Sequence, residues 1–235
     1  MLLKLHNIYA GYGGGDVLKG IDLEVEQGTT TCIVGPNGAG KSTVLRVLSG
    51  LLKPRLGEIT FDGRSIAGLA PRQILDLGIV QVPQNHSLFP SMTVYENVRL
   101  GAYTLHDRSL VDRRLHDVEE KFPIVRDRAH DKAGSLSGGQ QRLVEFARCL
   151  MLDPRVILLD EPAGGVNPTM INYLTDRIRT LNARGVTFLI VEHNMEFVMG
   201  LCHKIMVMHR GTKIAEGAPA EVRANPAVLE AYLGD

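Results

Sequence analysis

The stretch Gly35-Pro36-Asn37-Gly38-Ala39-Gly40-Lys41-Ser42 follows the apolar run Thr30–Val34. It precedes a segment in which Val44, Leu45, Val47, Leu48 and Leu51 are apolar at helical spacing. Strand, glycine-rich loop and helix are the context that gives the pattern G-x-x-x-x-G-K-[ST] its physical meaning. Gly35, Gly38 and Gly40, with Asn37 and Ala39 between them, let successive backbone N–H groups face one anion. The positive end of the following helix adds to their pull. Lys41 brings a point charge for the β- and γ-phosphates, Ser42 a hydroxyl for Mg²⁺, and Thr43 a second hydroxyl on the phosphate side. Alone, the loop marks a nucleotide binder of almost any kind.

Two further stretches narrow it. Leu136-Ser137-Gly138-Gly139-Gln140 stands before the apolar Leu143, Val144, Phe146 and Ala147. Ser137 and Gln140 form the S-x-x-Q of a capping box at a helix start. Capping does not require the glycine pair, which exposes N–H groups at a positive helix end, ready for an anion. Val156-Ile157-Leu158-Leu159 is an apolar strand ending in Asp160-Glu161. Asp160 projects beyond the sheet toward Mg²⁺. Glu161 points to the other side, placed to orient or deprotonate an attacking water. Without the phosphate loop, the same pair before Pro162 reads as a strand end that caps a turn.

Phosphate loop, pentapeptide and carboxylate strand, in this order, resemble the ATP-binding cassette (ABC) family, and the resemblance covers essentially the whole chain. It implies an ATPase using ATP and Mg²⁺, with Ser137, Gly138, Gly139 and Gln140 holding the γ-phosphate bound by a second subunit. One chain then cannot complete its own site. Gln84, ending the strand Gly78–Val82, matches the family's Q-loop and would sense Mg²⁺ or the attacking water. His193, after the strand Val186–Val191, matches the switch histidine that bonds the γ-phosphate. Tyr12 stands at the spacing of the adenine-stacking aromatic; Tyr9 competes, although strand alternation places it in the sheet. After Glu161-Pro162 the family's D-loop usually ends in Asp, whereas here Asn167 keeps the hydrogen-bonding shape without the charge.

That swap resembles ATPases of branched-chain amino-acid importers. Glu192-His193-Asn194-Met195 fits them, as do the tail features Gly217-Ala218-Pro219 and Asn225-Pro226 through Ala231-Tyr232-Leu233-Gly234. Urea or amide importers and the lipopolysaccharide-export ATPase look similar. Other readings are a soluble ABC ATPase acting on ribosomes or DNA, which the short helical part disfavours, and a non-hydrolysing nucleotide sensor, which Glu161 and His193 oppose. The importer reading implies transmembrane permease subunits, an external solute-binding protein and a peripheral place on the cytoplasmic face of the cell membrane. Leu88, Phe89, Pro90 and Met92 form an apolar cluster in a loop, read as the permease docking point or as residues folded inward.

Bulk properties agree. Lys plus Arg and Asp plus Glu are 26 each, so no net field draws the chain to nucleic acid or an anionic membrane. Met1–His6 is too short an apolar run for a signal peptide, and no run reaches spanning length. Cys32, Cys149 and Cys202, odd in number and set in apolar stretches, read as reduced buried thiols.

The organisation expected is one α/β domain: a P-loop NTPase core of the ABC type over 1–84 and 154–235, with an N-terminal antiparallel β subdomain and a helical subdomain inserted over 85–153. Strands are expected at Leu2–Tyr9, Leu18–Glu26, Thr30–Val34, Gly57–Phe61, Gly78–Val82, Val156–Leu159 and Val186–Val191. Helices are expected at Tyr95–Tyr103, Leu110–Phe122, Gly139–Leu152, Pro168–Ala183 and Pro226–Leu233. A hairpin, Ile205–His209 with Lys213–Ala215, turns at Arg210-Gly211.

Overall fold

The computed structural model describes residues 1–233, and Gly234, the last of the tail features, lies outside the described residues. Two sheets organise it. Strands β1 (Leu3–Gly11), β2 (Asp16–Val25), β4 (Leu56–Phe61) and β5 (Arg64–Ser65) form an antiparallel sheet in the order β2-β1-β4-β5. The second sheet joins β3 (Thr30–Val34), β6 (Ile79–Val82), β7 (Val156–Asp160), β8 (Thr187–Val191), β9 (Lys204–His209) and β10 (Thr212–Gly217). Its order is β10-β9-β3-β8-β7-β6, parallel except for the β9–β10 hairpin.

Every residue of β3, β7 and β8 is buried, as expected of parallel strands covered on both faces. Alternation divides the core. Cys32, Val34, Ile157, Leu159, Phe188 and Ile190 face one cluster; Ile33, Leu158, Leu189 and Val191 face the other. The second cluster is closed by α1 (Lys41–Leu48) and the antiparallel sheet. The first is closed by α6 (Gly138–Leu150) and α7 (Pro168–Asn182).

Between β6 and β7 the chain is helical: α3 (Val94–Leu100), α4 (Arg108–Lys121), α5 (Pro123–Asp127), a 3₁₀ turn at Ala133–Ser135, and α6. α3, α4 and α6 lie within a few residues of the expected helices, whereas α5 and the 3₁₀ turn are not among those expected. The sequence pattern missed α2 (Pro71–Asp76), α8 (Met195–Leu201) and α9 (Pro219–Arg223), which hold too few turns to show periodicity; α10 (Pro226–Leu233) closes the described chain. No helix among the described residues is long and apolar enough to cross a membrane.

Cys32 on β3 and Cys202, which ends α8, lie beside one another with Cα atoms 6.0 Å apart. The parallel pairing of β3 with β9 brings these distant residues together, and their separation of 170 residues hides this proximity from the sequence. Cys149 is free and buried, and burial pushes its thiol up to about 12.

Phe146 fastens the helical part to the sheet. Its ring meets Phe122 edge-on at 5.7 Å and stacks on Phe188 of β8 at 6.2 Å. All three side chains are essentially inaccessible. Phe146→Ala should therefore lower the unfolding free energy by about 3–5 kcal/mol, read from urea denaturation of the full chain.

Candidate active site

Parallel pairing delivers the C-terminal ends of β3, β8, β7 and β6 to one edge of the sheet, where open α/β sheets place ligands. Leaving β3, the backbone turns at Gly35 with φ +151°. A Cβ there would lie 2.1 Å from the Met208 carbonyl of β9, so no side chain fits. The β9–β10 turn, Arg210-Gly211, buttresses the loop from outside: Gly211 N–H donates to the Ala39 carbonyl at 3.1 Å. Gly40, at φ +99°, is the N-cap of α1, whose first turn carries Lys41, Ser42 and Thr43.

The result is a cavity of about 650 Å³ bounded by the loop, Lys41–Thr43, Val17, Gln84, Glu161 and His193. Lys41 is almost buried, and its Nζ donates to the Gly35 and Pro36 carbonyls at 2.8 and 2.9 Å, so its charge sits at the centre of the loop. Burial lowers its pKa, while the carboxylates of Glu161, Asp160 and Glu192 pull it back up. Glu161 Oε2 accepts from Gln84 Nε2 at 2.7 Å, and Oε1 lies 3.6 Å from His193 Nδ1. Glu161 has a positive φ of 48°, which turns the chain sharply out of β7.

Asp160 faces a different space. It accepts the Ser42 hydroxyl at 2.9 Å and lines an adjoining cleft of about 410 Å³ with Ser42, Arg46 and Gln84. The two carboxylates thus separate as the strand alternation predicts, with Ser42 and Gln84 touching both spaces. Burial raises the Asp160 pKa, opposed by the Ser42 hydrogen bond and reinforced by Glu161. An oxygen-only pair of one carboxylate and one hydroxyl suits Mg²⁺, which takes few protein ligands and completes its shell with water and phosphate. The described residues hold no cluster of three His, Cys, Asp or Glu side chains that would suit a metal caged by protein alone.

Tyr12 lies outside this lining. Its ring is 54% exposed; its hydroxyl is 3.4 Å from Thr43 Oγ1 and accepts from Arg46 at 3.2 Å. Tyr9 stays in β1 with the Arg55 guanidinium over its ring. Ser137–Gln140 is not brought to the cavity at all. Ser137 accepts from Gln140 N–H at 3.4 Å and Gln140 Oε1 accepts from Ser137 N–H at 3.0 Å, completing the capping box with Ser137 and Gly138 exposed. Asn167 caps α7, accepting from Met170 N–H at 3.0 Å.

Leu88 departs from the expected exposed cluster by packing against the core, whereas Phe89 is 54% exposed. Asn97 explains the split: fully buried on α3, it grips the Phe89 backbone through both N–H and carbonyl, so the ring stays outside. Glu192 stands out in the sequence only as part of Glu192-His193-Asn194-Met195. It is fully buried, accepting Ala163 N–H at 2.7 Å and the His193 and Asn194 N–H groups at 3.0 and 3.1 Å. It ties the turn after β7 to the turn after β8, and its signal is a carboxylate ending an apolar strand, as at Asp160.

A parallel sheet with a phosphate loop at its C-terminal edge and a helix starting inside that loop defines a P-loop nucleotide-binding protein. The family profile described as "ABC transporter" matches residues 18–164, and one described as "Branched-chain amino acid ATP-binding cassette transporter" matches residues 212–235. The chain belongs to the ATP-hydrolysing, ATP-binding subunits of ABC transporters. It is 36% identical to the high-affinity branched-chain amino acid transport ATP-binding protein BraF of Pseudomonas aeruginosa, over 100% of this chain and 98% of that one. It is 35% identical to the probable branched-chain amino acid transport ATP-binding protein LivG of Methanocaldococcus jannaschii, with the same coverage. A crystal structure of a nucleotide-free cassette from an ABC transporter superposes with TM-score 0.91 at 32% identity, covering 100% and 99% of the two chains. A dimeric cassette in a post-hydrolysis state bound to ADP and Pi superposes with TM-score 0.83 at 27% identity, covering 93% and 99%.

Asp160 supplies a stability test. Its folded pKa is raised above the unfolded value, so the charge it carries at neutral pH opposes folding, and that cost vanishes once both states are protonated. Asp160→Asn should raise the melting temperature of the nucleotide-free chain at pH 7. The gain should shrink as pH falls toward about 4. Scanning calorimetry at several pH values checks both the sign and the window.

Proposed function

We propose that two copies of this chain, or one copy and a paralogue, hydrolyse ATP between them to drive import of branched-chain amino acids through membrane permease subunits. Supporting the substrate class are the two full-length relatives, named as branched-chain amino acid transport proteins, and the profile match over 212–235. The observation that carries the chemistry is the Glu161 carboxylate, bonded to Gln84 and facing His193 across the cavity from the phosphate loop.

In this reading Lys41 exchanges the Gly35 and Pro36 carbonyls for β- and γ-phosphate oxygens, and the loop N–H groups hold the same phosphates. Ser42 and Asp160, with Gln84 beside them, would hold Mg²⁺, which would supply charge neutralisation at the phosphates. Glu161 accepts the proton of the attacking water, Gln84 holds Glu161 and the water in line, and His193 bonds the γ-phosphate. Tyr12, ordered by Arg46, stacks on the adenine.

Ser137–Gln140 turns exposed N–H groups at the start of α6 toward the γ-phosphate bound by the second copy, which accounts for its distance from this chain's own cavity. Permease docking belongs to the Phe89 region. Phe89, Leu100 and Tyr103 are exposed around a largely apolar groove of about 420 Å³. A solute-binding protein outside the membrane completes the importer, and this chain lies peripherally on the cytoplasmic face.

Glu161→Gln should bind ATP normally, lose at least about 10²-fold in turnover, and accumulate as an ATP-bound dimer in size exclusion. Near-normal turnover removes Glu161 from the base role. Phe89→Asp should abolish permease association and transport while ATP binding and melting temperature stay unchanged, because Phe89 is 54% exposed. Transport at the unmodified rate places docking elsewhere. Leu88→Asp is the informative contrast, since Leu88 packs on the core and its loss should destabilise the fold.

A further inference from the structure

Outside the phosphate cavity, α6 carries a buried ion pair. Arg142 and Glu145, one turn apart, have side chains 4% and 0% exposed, with Nη1 and Oε2 3.1 Å apart. The Arg142 guanidinium donates through Nη1 to the Pro83 carbonyl and through Nη2 to the Gln84 carbonyl, each at 2.7 Å. Glu145 Oε1 accepts the Ser87 N–H, lies 3.3 Å from the Ser87 hydroxyl, and faces His86 Nδ1 at 3.6 Å. One turn on, Arg148 donates to the Ser87 carbonyl at 2.9 Å and to its hydroxyl. Three residues of one helix face therefore hold the segment 83–87 at both ends.

That segment has no helix or strand of its own, so its backbone polar groups depend on such partners. A buried ion pair is a poor way to gain stability, because desolvation offsets its attraction and an apolar pair of similar volume serves as well. What an apolar pair cannot do is bind two successive carbonyls. The planar fork of an arginine spans both, and a lysine ammonium is a point donor that lacks this geometry.

We infer that Arg142 and Glu145 are positioning residues for Gln84, fixing its main chain so that its amide reaches Glu161. The inference rests on the proposed role of Gln84 in turnover. The same helix begins at Ser137–Gln140, two turns before Glu145, so the clasp makes the helix start and the Gln84 carbonyl parts of one body. A nucleotide that shifts the start of α6 shifts Gln84 with it.

Steady-state ATP hydrolysis by the full chain with Mg²⁺ tests this in four forms: unmodified, Gln84→Ala, Arg142→Lys, and the two combined. Arg142→Lys should lower kcat by about ten- to a hundredfold, the scale of a misplaced catalytic geometry, with KM for ATP within about twofold. In the Gln84→Ala background the same change should cost less than about twofold, because the group it positions is gone. An equal loss in both backgrounds, or an unchanged kcat in Arg142→Lys while Gln84→Ala is impaired, overturns the positioning role. Full turnover by Gln84→Ala overturns the Gln84 reading itself and is told apart by that single variant. Should Arg142→Lys fail to fold, the apolar replacement Arg142→Met with Glu145→Leu takes its place. It should fold, and show the same kcat loss and the same dependence on Gln84; unmodified turnover from it overturns the proposal.

Discussion

Parallel pairing of β6, β7, β8 and β3 is the constraint on which the rest depends. Strands that run the same way end on the same side, so Val82, Asp160, Val191 and Val34 finish along one sheet edge. The residues that follow, Gln84, Glu161, His193 and the phosphate loop, are then neighbours although up to 158 positions separate Gly35 from His193. The apolar alternation of each strand supplies this indirectly. Burial on both faces fixes the register, and the register fixes which residue steps out of the sheet first.

The charged groups at that edge are held against a desolvation cost. Asp160, Glu192 and Lys41 are all buried. Each is compensated by fixed donors or acceptors: Ser42 for Asp160, three backbone N–H groups for Glu192, two carbonyls for Lys41. Burying such charges is tolerable only when hydrogen bonds satisfy them. The outcome is an array of charges held by hydrogen bonds before any phosphate arrives.

How much of this could be read from the sequence depended on the range over which each signal acts. The phosphate loop, the capping box at Ser137 and the strands β3, β7 and β8 are local patterns, and they fall where the pattern puts them. The six- and seven-residue helices α2 and α8 are too brief for periodicity to register. Leu88 and Phe89 look alike as adjacent apolar residues. Only the distant Asn97, by seizing the backbone of one, decides which faces water. Arg142 and Glu145 carry no local signal in the sequence, yet they are the buried clasp of α6 on a loop 58 residues away. Charges inside a helix can be sorted into solvated and buried only when the surface they meet is known.

The separation of Ser137–Gln140 from the phosphate cavity follows from the same geometry. Ser137 and Gly138 are exposed at the start of a 13-residue helix, yet Ser137–Gln140 does not line the cavity of the loop that holds Lys41. A Cβ at Gly139 would meet Met170 of α7 at 2.9 Å, so this glycine is also required by packing within the chain. Nothing of the kind constrains Gly138, whose Cβ would meet only His86, at 3.6 Å. Of the pair, Gly138 is therefore the one whose lack of a side chain intrachain packing does not explain. Without a Cβ, the backbone N–H at this helix end is open to close approach from outside the chain.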